Sequence, residues 1–183
     1  MARKSKAVSG TFFLGQTVTM NSTTFAQAEI DVSSFVNVLD GEVLRIKQVW
    51  MDWTEGSQPI TGDAIHASGA VGGASCGGQI TTESRTGLLA LSANSLVAKS
   101  TLYAHVDATA NVDYMHQQDG LNPVDFNDGF LVATDGIFFG INSNDTDTWA
   151  KNSVILFGCK LECEIVKMSL SDAQAVLVSQ TLG

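Results

Sequence analysis

The chain has 183 residues, of which 44% are hydrophobic and only 16% charged, with a formal net charge of −9. That length suits one domain with a core of its own, and the charged share lies well below the usual quarter. Arg3, Lys4 and Lys6 supply three of the ten basic residues, leaving seven basic against nineteen acidic residues elsewhere, a balance of −12 that excludes broad contact with nucleic-acid phosphates.

Residues 1–10 read as a basic N-terminal arm. The apolar stretch after the basic start is broken at Ser9, Gly10 and Thr11, so a secretory signal is not expected. Nothing approaches the roughly 20 apolar residues of a membrane helix. Thr11–Met20, "TFFLGQTVTM", is rich in aromatic and β-branched residues and predicts a strand. Phe25–Val32 alternates Ala26, Ala28, Ile30 and Val32 against Gln27, Glu29 and Asp31, the pattern of a half-buried strand.

"FVNVLDGEVLRIKQVWMDW" places a turn at Asp40-Gly41 and then one long strand to Trp53. Under strict alternation Leu44 and Ile46 share one face while Val49, Met51 and Trp53 share the other. A one-residue slip near Lys47-Gln48, a β-bulge, would unite all five. The alternative is a strand buried on both faces. Residues 57–78 hold six Gly and a Pro and predict a long loop, with Cys76 as its exposed thiol.

Further β-type segments follow in "QITTESRTG", "LLALSA" and "SLVAKSTLYAHVDATANVDY"; Leu96, Ala98, Ser100, Leu102, Ala104 and Val106 form one face of the last. "MHQQDGLNPVDFNDG" predicts a polar loop. "FLVATDGIFFGINS" predicts a hairpin turning at Asp135-Gly136. "NSNDTDTW" is a second polar loop. In "VILFGCKLECEIVKMS", Phe157, Cys159, Leu161, Cys163 and Ile165 point one way, and Gly158, Lys160, Glu162, Glu164 and Val166 the other. At about 14 residues, or roughly 45 Å, this strand is unusually long. Ser171 with Gln174 forms a capping-box signature, so 171–183 should be a helix and tail with Ala173, Val176, Leu177 and Gln180 on one face.

Eight or nine strands with little helix predict an all-β sandwich or barrel over residues 11–170. The three cysteines are an odd count. Cys159 and Cys163, four apart on a strand, lie roughly 13 Å from each other, beyond disulfide reach. Free thiols and synthesis in a reducing cytosol are expected.

Motifs for chemistry are sparse. His105, Asp107 and His116 are the nearest approach to a metal set, without the His-x-His pair of a cupin-type site; no metal and no cofactor are expected. Asn142, Asn144, Asp145 and Asp147 offer alternating oxygen ligands to a hard cation such as Ca²⁺. They do not complete the EF-hand loop, and Asx-rich turns are the commoner explanation of such a run. No G-x-S-x-G is present, and "GAVGGASCGG" lacks the Lys-Ser/Thr of a phosphate-binding loop.

In order, "MARKSK", "GEVLRIKQVWMDW", "FLVATDGIFFGINS" and "VILFGCKLECEIVKMSLSDAQ" lay out a short basic arm, strands with a long excursion, and a closing strand. In that layout the chain resembles the viral single jelly-roll capsid proteins. The resemblance implies an all-β single jelly roll of about eight strands in two four-stranded sheets, with a short C-terminal helix. It implies a self-assembling shell subunit of the virion, assembled in the host cytoplasm, without catalytic activity or a small-molecule substrate. Its partners would be copies of itself and other capsid proteins. Arg3, Lys4 and Lys6 would face the interior and touch genome or an internal membrane. The helix face Ala173, Val176, Leu177 and Gln180 would meet a neighbouring subunit or else pack on its own sandwich. Two other readings stand beside this one. One is a trimeric jelly-roll head that binds carbohydrate or a receptor through Met115–Gly129 and Ser143–Trp149, with Trp149 stacking on sugar. The other is a β-barrel enzyme using His105, Asp107 and His116.

Overall fold

The structure, a computed structural model, describes residues 6–20, 25–60, 72–106, 112–143 and 154–182, with backbone only at 72, 74, 106 and 112–114. In chain order the strands are β1 (Lys6–Ala7), β2 (Phe12–Met20), β3 (Ala26–Asp31), β4 (Glu42–Glu55), β5 (Gln58–Pro59), β6 (Gly72–Thr81), β7 (Leu96–Val106), β8 (Val112–Leu121), β9 (Phe130–Val132), β10 (Gly136–Ser143) and β11 (Ile155–Lys167). One helix, α1 (Leu170–Thr181), follows.

All pairing is antiparallel, in two sheets. In the first, β11 lies between β4 and the edge formed by β2 and β1, while β9 and β5 pair with opposite ends of the far side of β4. The second runs β3-β10-β6-β7-β8. With the short β1 and β5 and the outlying β8 set aside, eight strands pair first with last: β2 with β11, β3 with β10, β4 with β9, β6 with β7. That wrap is a jelly roll, as the sequence layout implied.

The β4–β11 pair sets the core. Glu162 pairs with Gln48 and Cys163 with Ile46, so Lys47 is the extra residue of a bulge. The slip turns Leu44, Ile46, Val49, Met51 and Trp53 to the same side, toward the second sheet, where all but the half-buried Met51 are fully buried. On β11, Phe157, Cys159, Leu161 and Cys163 join them. The Trp53 and Phe157 rings meet at a tilt of 43° with centroids 4.8 Å apart, and Trp53 Nε1 donates to Ser100 Oγ of the opposite sheet at 3.3 Å.

Several expectations are corrected. The excursion predicted over 57–78 does not reach its far end: from Gly72 the chain is β6, in the middle of the second sheet. Two of its glycines answer to packing. A Cβ on Gly78 would stand 2.5 Å from the Phe157 ring, and one on Gly77 would stand 2.3 Å from Leu88. Cys76, on the same strand, is buried rather than exposed. Asp135-Gly136 is a crossover and not a hairpin, since β9 and β10 belong to different sheets. Residues 115–121 continue β8 instead of opening a loop, and residues 88–95 form turns without a strand. The turn at Asp40-Gly41 is as predicted. Gly41 has φ 74°, and a Cβ there would meet Met168 O at 2.3 Å, so glycine alone fits.

The helix begins two residues earlier than a cap at Ser171 would place it. Ser169, not Ser171, caps it, accepting from Asp172 N at 3.2 Å and donating to Asp172 Oδ2 at 2.8 Å. Ala173, Val176 and Gln180 turn onto their own sandwich, over Val43, Ala133 and Val166 on the outer side of the first sheet. Gln180 Nε2 donates to Leu131 O, and its Oε1 accepts from Ala133 N at 3.1 Å. Of the two destinations open to this stripe, a neighbouring subunit or its own sandwich, it takes the second: Gln180, its polar member, finds both partners beside β9, and Leu177, half-buried, packs against the same cluster.

Candidate assembly surfaces

Strand alternation gives the first sheet two outer-facing halves. Toward the chain's C-terminus, Val43 and Val166 pair across β4 and β11 and lie beneath α1, fully buried. Next to them Arg45 and Glu164 pair in register. Arg45 Nε donates to Glu164 Oε1 at 2.5 Å, and the Glu164 carboxylate is nearly buried. The bulge then presents Lys47, whose Nζ donates to Glu162 Oε1 at 2.8 Å; that carboxylate raises the lysine above its ordinary pKa.

Beyond the bulge the sheet is bare. The register lays out rows across three strands: Phe13, Glu162 and Gln48; Gly15, Lys160 and Trp50; Thr17, Gly158 and Asp52; Thr19, Leu156 and Thr54. Phe13 is 54% exposed and Trp50 44%, yet their rings lie only 6.3 Å apart, and Lys160 Nζ stands 4.9 Å over the Phe13 ring. This is a cation–π arrangement at the surface. Two aromatic rings held together on a sheet face that no described residue covers make a candidate contact surface.

The open side of β4 is managed by polar side chains. Between β9 and β5, Asn122 takes the place of a strand: its Nδ2 donates to Val49 O at 2.7 Å and its Oδ1 accepts from Val49 N at 3.2 Å. Gln117 of β8 donates to Met51 O at 3.3 Å. Along β8, Met115 to Gly120 are all exposed, and the polar run His116, Gln117, Gln118 and Asp119 suits an edge strand that must not template sheet growth.

Of the arm residues, Lys6 lies on β1, opposite Lys167 at the end of β11, and is exposed; Val8 N donates to Ile165 O at 2.9 Å. Arg3 and Lys4 fall outside the described residues. Asn142 sits in β10 with its Oδ1 accepting from Ser143 N at 2.9 Å, while Asn144, Asp145, Asp147 and Trp149 fall outside the described residues, as does Asp107. His105 and His116 lie on adjacent strands, the first opposite Tyr114 and the second opposite Tyr103. Among the described residues no group of three His, Cys, Asp or Glu side chains is placed to share a metal ion. All three cysteines are free and buried, and burial pushes the Cys163 thiol up to about 12, far from an activated thiolate.

The bare face had a sequence signal. Phe13, Gly15, Thr17 and Thr19 alternate in β2, and Gly158 and Lys160 alternate in β11; only the bulge aligns Trp50 with them.

No protein-family model matches the sequence, and no curated protein matches it. Among solved structures, the fold is similar to VP1 of trichodysplasia spinulosa-associated polyomavirus, solved with sialylated precision glycooligomers, at a TM-score of 0.52 and 9% identity over 88% of this chain and 97% of that one. It is also similar to apo VP1 of chimpanzee polyomavirus, at 0.50 and 10% identity over 90% of this chain and 98% of that one. The chain has the single jelly-roll fold that these viral capsid proteins adopt.

Proposed function

We propose that this chain is a structural virion protein, a shell subunit that assembles with copies of itself and with other capsid proteins and carries no catalytic activity. The observation that carries this reading is the jelly-roll wrap combined with an outer sheet face whose paired aromatics no described residue covers. Among the described residues the three thiols are buried, and Arg45 and Lys47 are paired with Glu164 and Glu162. Free cysteines suit assembly in the host cytoplasm. Lys6, with Arg3 and Lys4 before it, is the part of the chain whose charge suits a polyanion, genome or anionic membrane. Three charges bind weakly and with strong salt dependence, and repetition over a shell multiplies them.

Negative-stain microscopy of the purified chain, over a series of salt and protein concentrations, tests the reading. Closed shells, sheets, pentamers or hexamers are expected. Single 19.4 kDa particles under every condition would overturn it.

A further inference from the structure

We infer that the bare outer face of the first sheet binds the same face of a second copy across a two-fold axis. The inference rests on the shell reading and names one of the contacts the shell would use. Its starting point is a pair of glycines. Gly15 and Gly158 sit in adjacent rows of the face, one on β2 and one on β11. Neither has a positive φ, so the backbone does not ask for glycine. Internal packing does not ask for it either: a Cβ on Gly158 would meet nothing closer than Thr17 Oγ1 at 3.9 Å, and one on Gly15 nothing closer than Cys159 O at 3.6 Å. Glycine in a strand interior costs stability, and where the chain gains nothing from it, the remaining physical reason is a body that approaches from outside.

A two-fold contact requires a surface that complements itself, because the same patch supplies both sides. This face does. It carries two projections, Phe13 and Trp50, and two dips, Gly15 and Gly158. Glu162 of the first row is held by Lys47, which leaves an exposed cation and an exposed anion a row apart, since Lys160 lies opposite Trp50 and Asp52 lies opposite Gly158. Across the axis Lys160 reaches the partner's Asp52, and the reverse pair forms by symmetry. The β-bulge at Lys47 and the α1 cover bound the patch on one side. Three strands about 4.8 Å apart and four rows span roughly 14 Å by 25 Å. That is small for a protein contact, so an isolated pair holds weakly and the contact gains from repetition.

The test is a charge swap in the full chain, read by analytical ultracentrifugation over a concentration series. Lys160→Glu and Asp52→Lys each set like charges against each other and are expected to raise the half-association concentration by about tenfold or more. The double variant K160E/D52K is expected to return it to the wild-type value. Gly158→Val, for whose Cβ the chain has room, is expected to fill the dip and weaken association while circular dichroism stays that of the wild type and melting does not fall. If the wild type associates but all four variants associate equally well, this face is not the contact and the shell reading stands without it. If the single variants weaken association and the double variant does not restore it, the two-fold pairing is wrong. If the wild type never associates, the shell reading and this inference fall together.

Discussion

The two outer halves of the β4–β11 pair belong to one ladder and end differently. Past the bulge toward Lys167 the ladder carries Val43 opposite Val166, and the chain folds its own helix over them. On the other side it carries Trp50 opposite Lys160, with Phe13 close by, and none of the described residues covers them. A sheet face presents a partner only where its own chain stops covering it. Here the boundary is one inserted residue, Lys47, with its Glu162 partner.

Breaking the covered half should cost the most. Val166→Asp buries a charge without a partner beneath α1 and should destabilise the fold by about 3–5 kcal/mol in urea unfolding. Gln180→Ala leaves the Ala133 N–H and the Leu131 carbonyl without their partner and should cost about 1–3 kcal/mol in the same measurement. On the bare half, Trp50→Ala removes an aromatic pair that is still half in solvent. It should cost only about 1 kcal/mol of stability while lowering association far more. At the boundary, Lys47→Ala removes an exposed ion pair and should leave the unfolding midpoint where it was. If Trp50→Ala destabilised as strongly as Val166→Asp, the two halves would not differ as described.

Much of this architecture is legible in the sequence wherever alternation is unbroken. The faces of β11 follow directly, and the bulge at Lys47 is one of two arrangements that the sequence of β4 allows, the other being a strand buried on both faces. What was hidden depended on contacts across the sandwich. The glycines of β6 imitate a loop, yet they make room for the Phe157 ring and for Leu88, neighbours that no local pattern names. Asp135-Gly136 imitates a hairpin because the local signal cannot say that the strands on either side enter different sheets. The helix face was read correctly as an apolar stripe. Its destination was decided by Gln180, whose two hydrogen bonds to the β9 segment only the fold reveals.

Hydroxyl-radical footprinting of dilute and associated protein, read residue by residue by mass spectrometry, tests the central claim most directly. Phe13 and Trp50 should lose labelling on association while Val178 and Leu182, exposed on the outside of α1 and just past its end, keep theirs. Unchanged labelling at Phe13 and Trp50, with protection at Val178 and Leu182, would contradict the claim and place the contact on the helix.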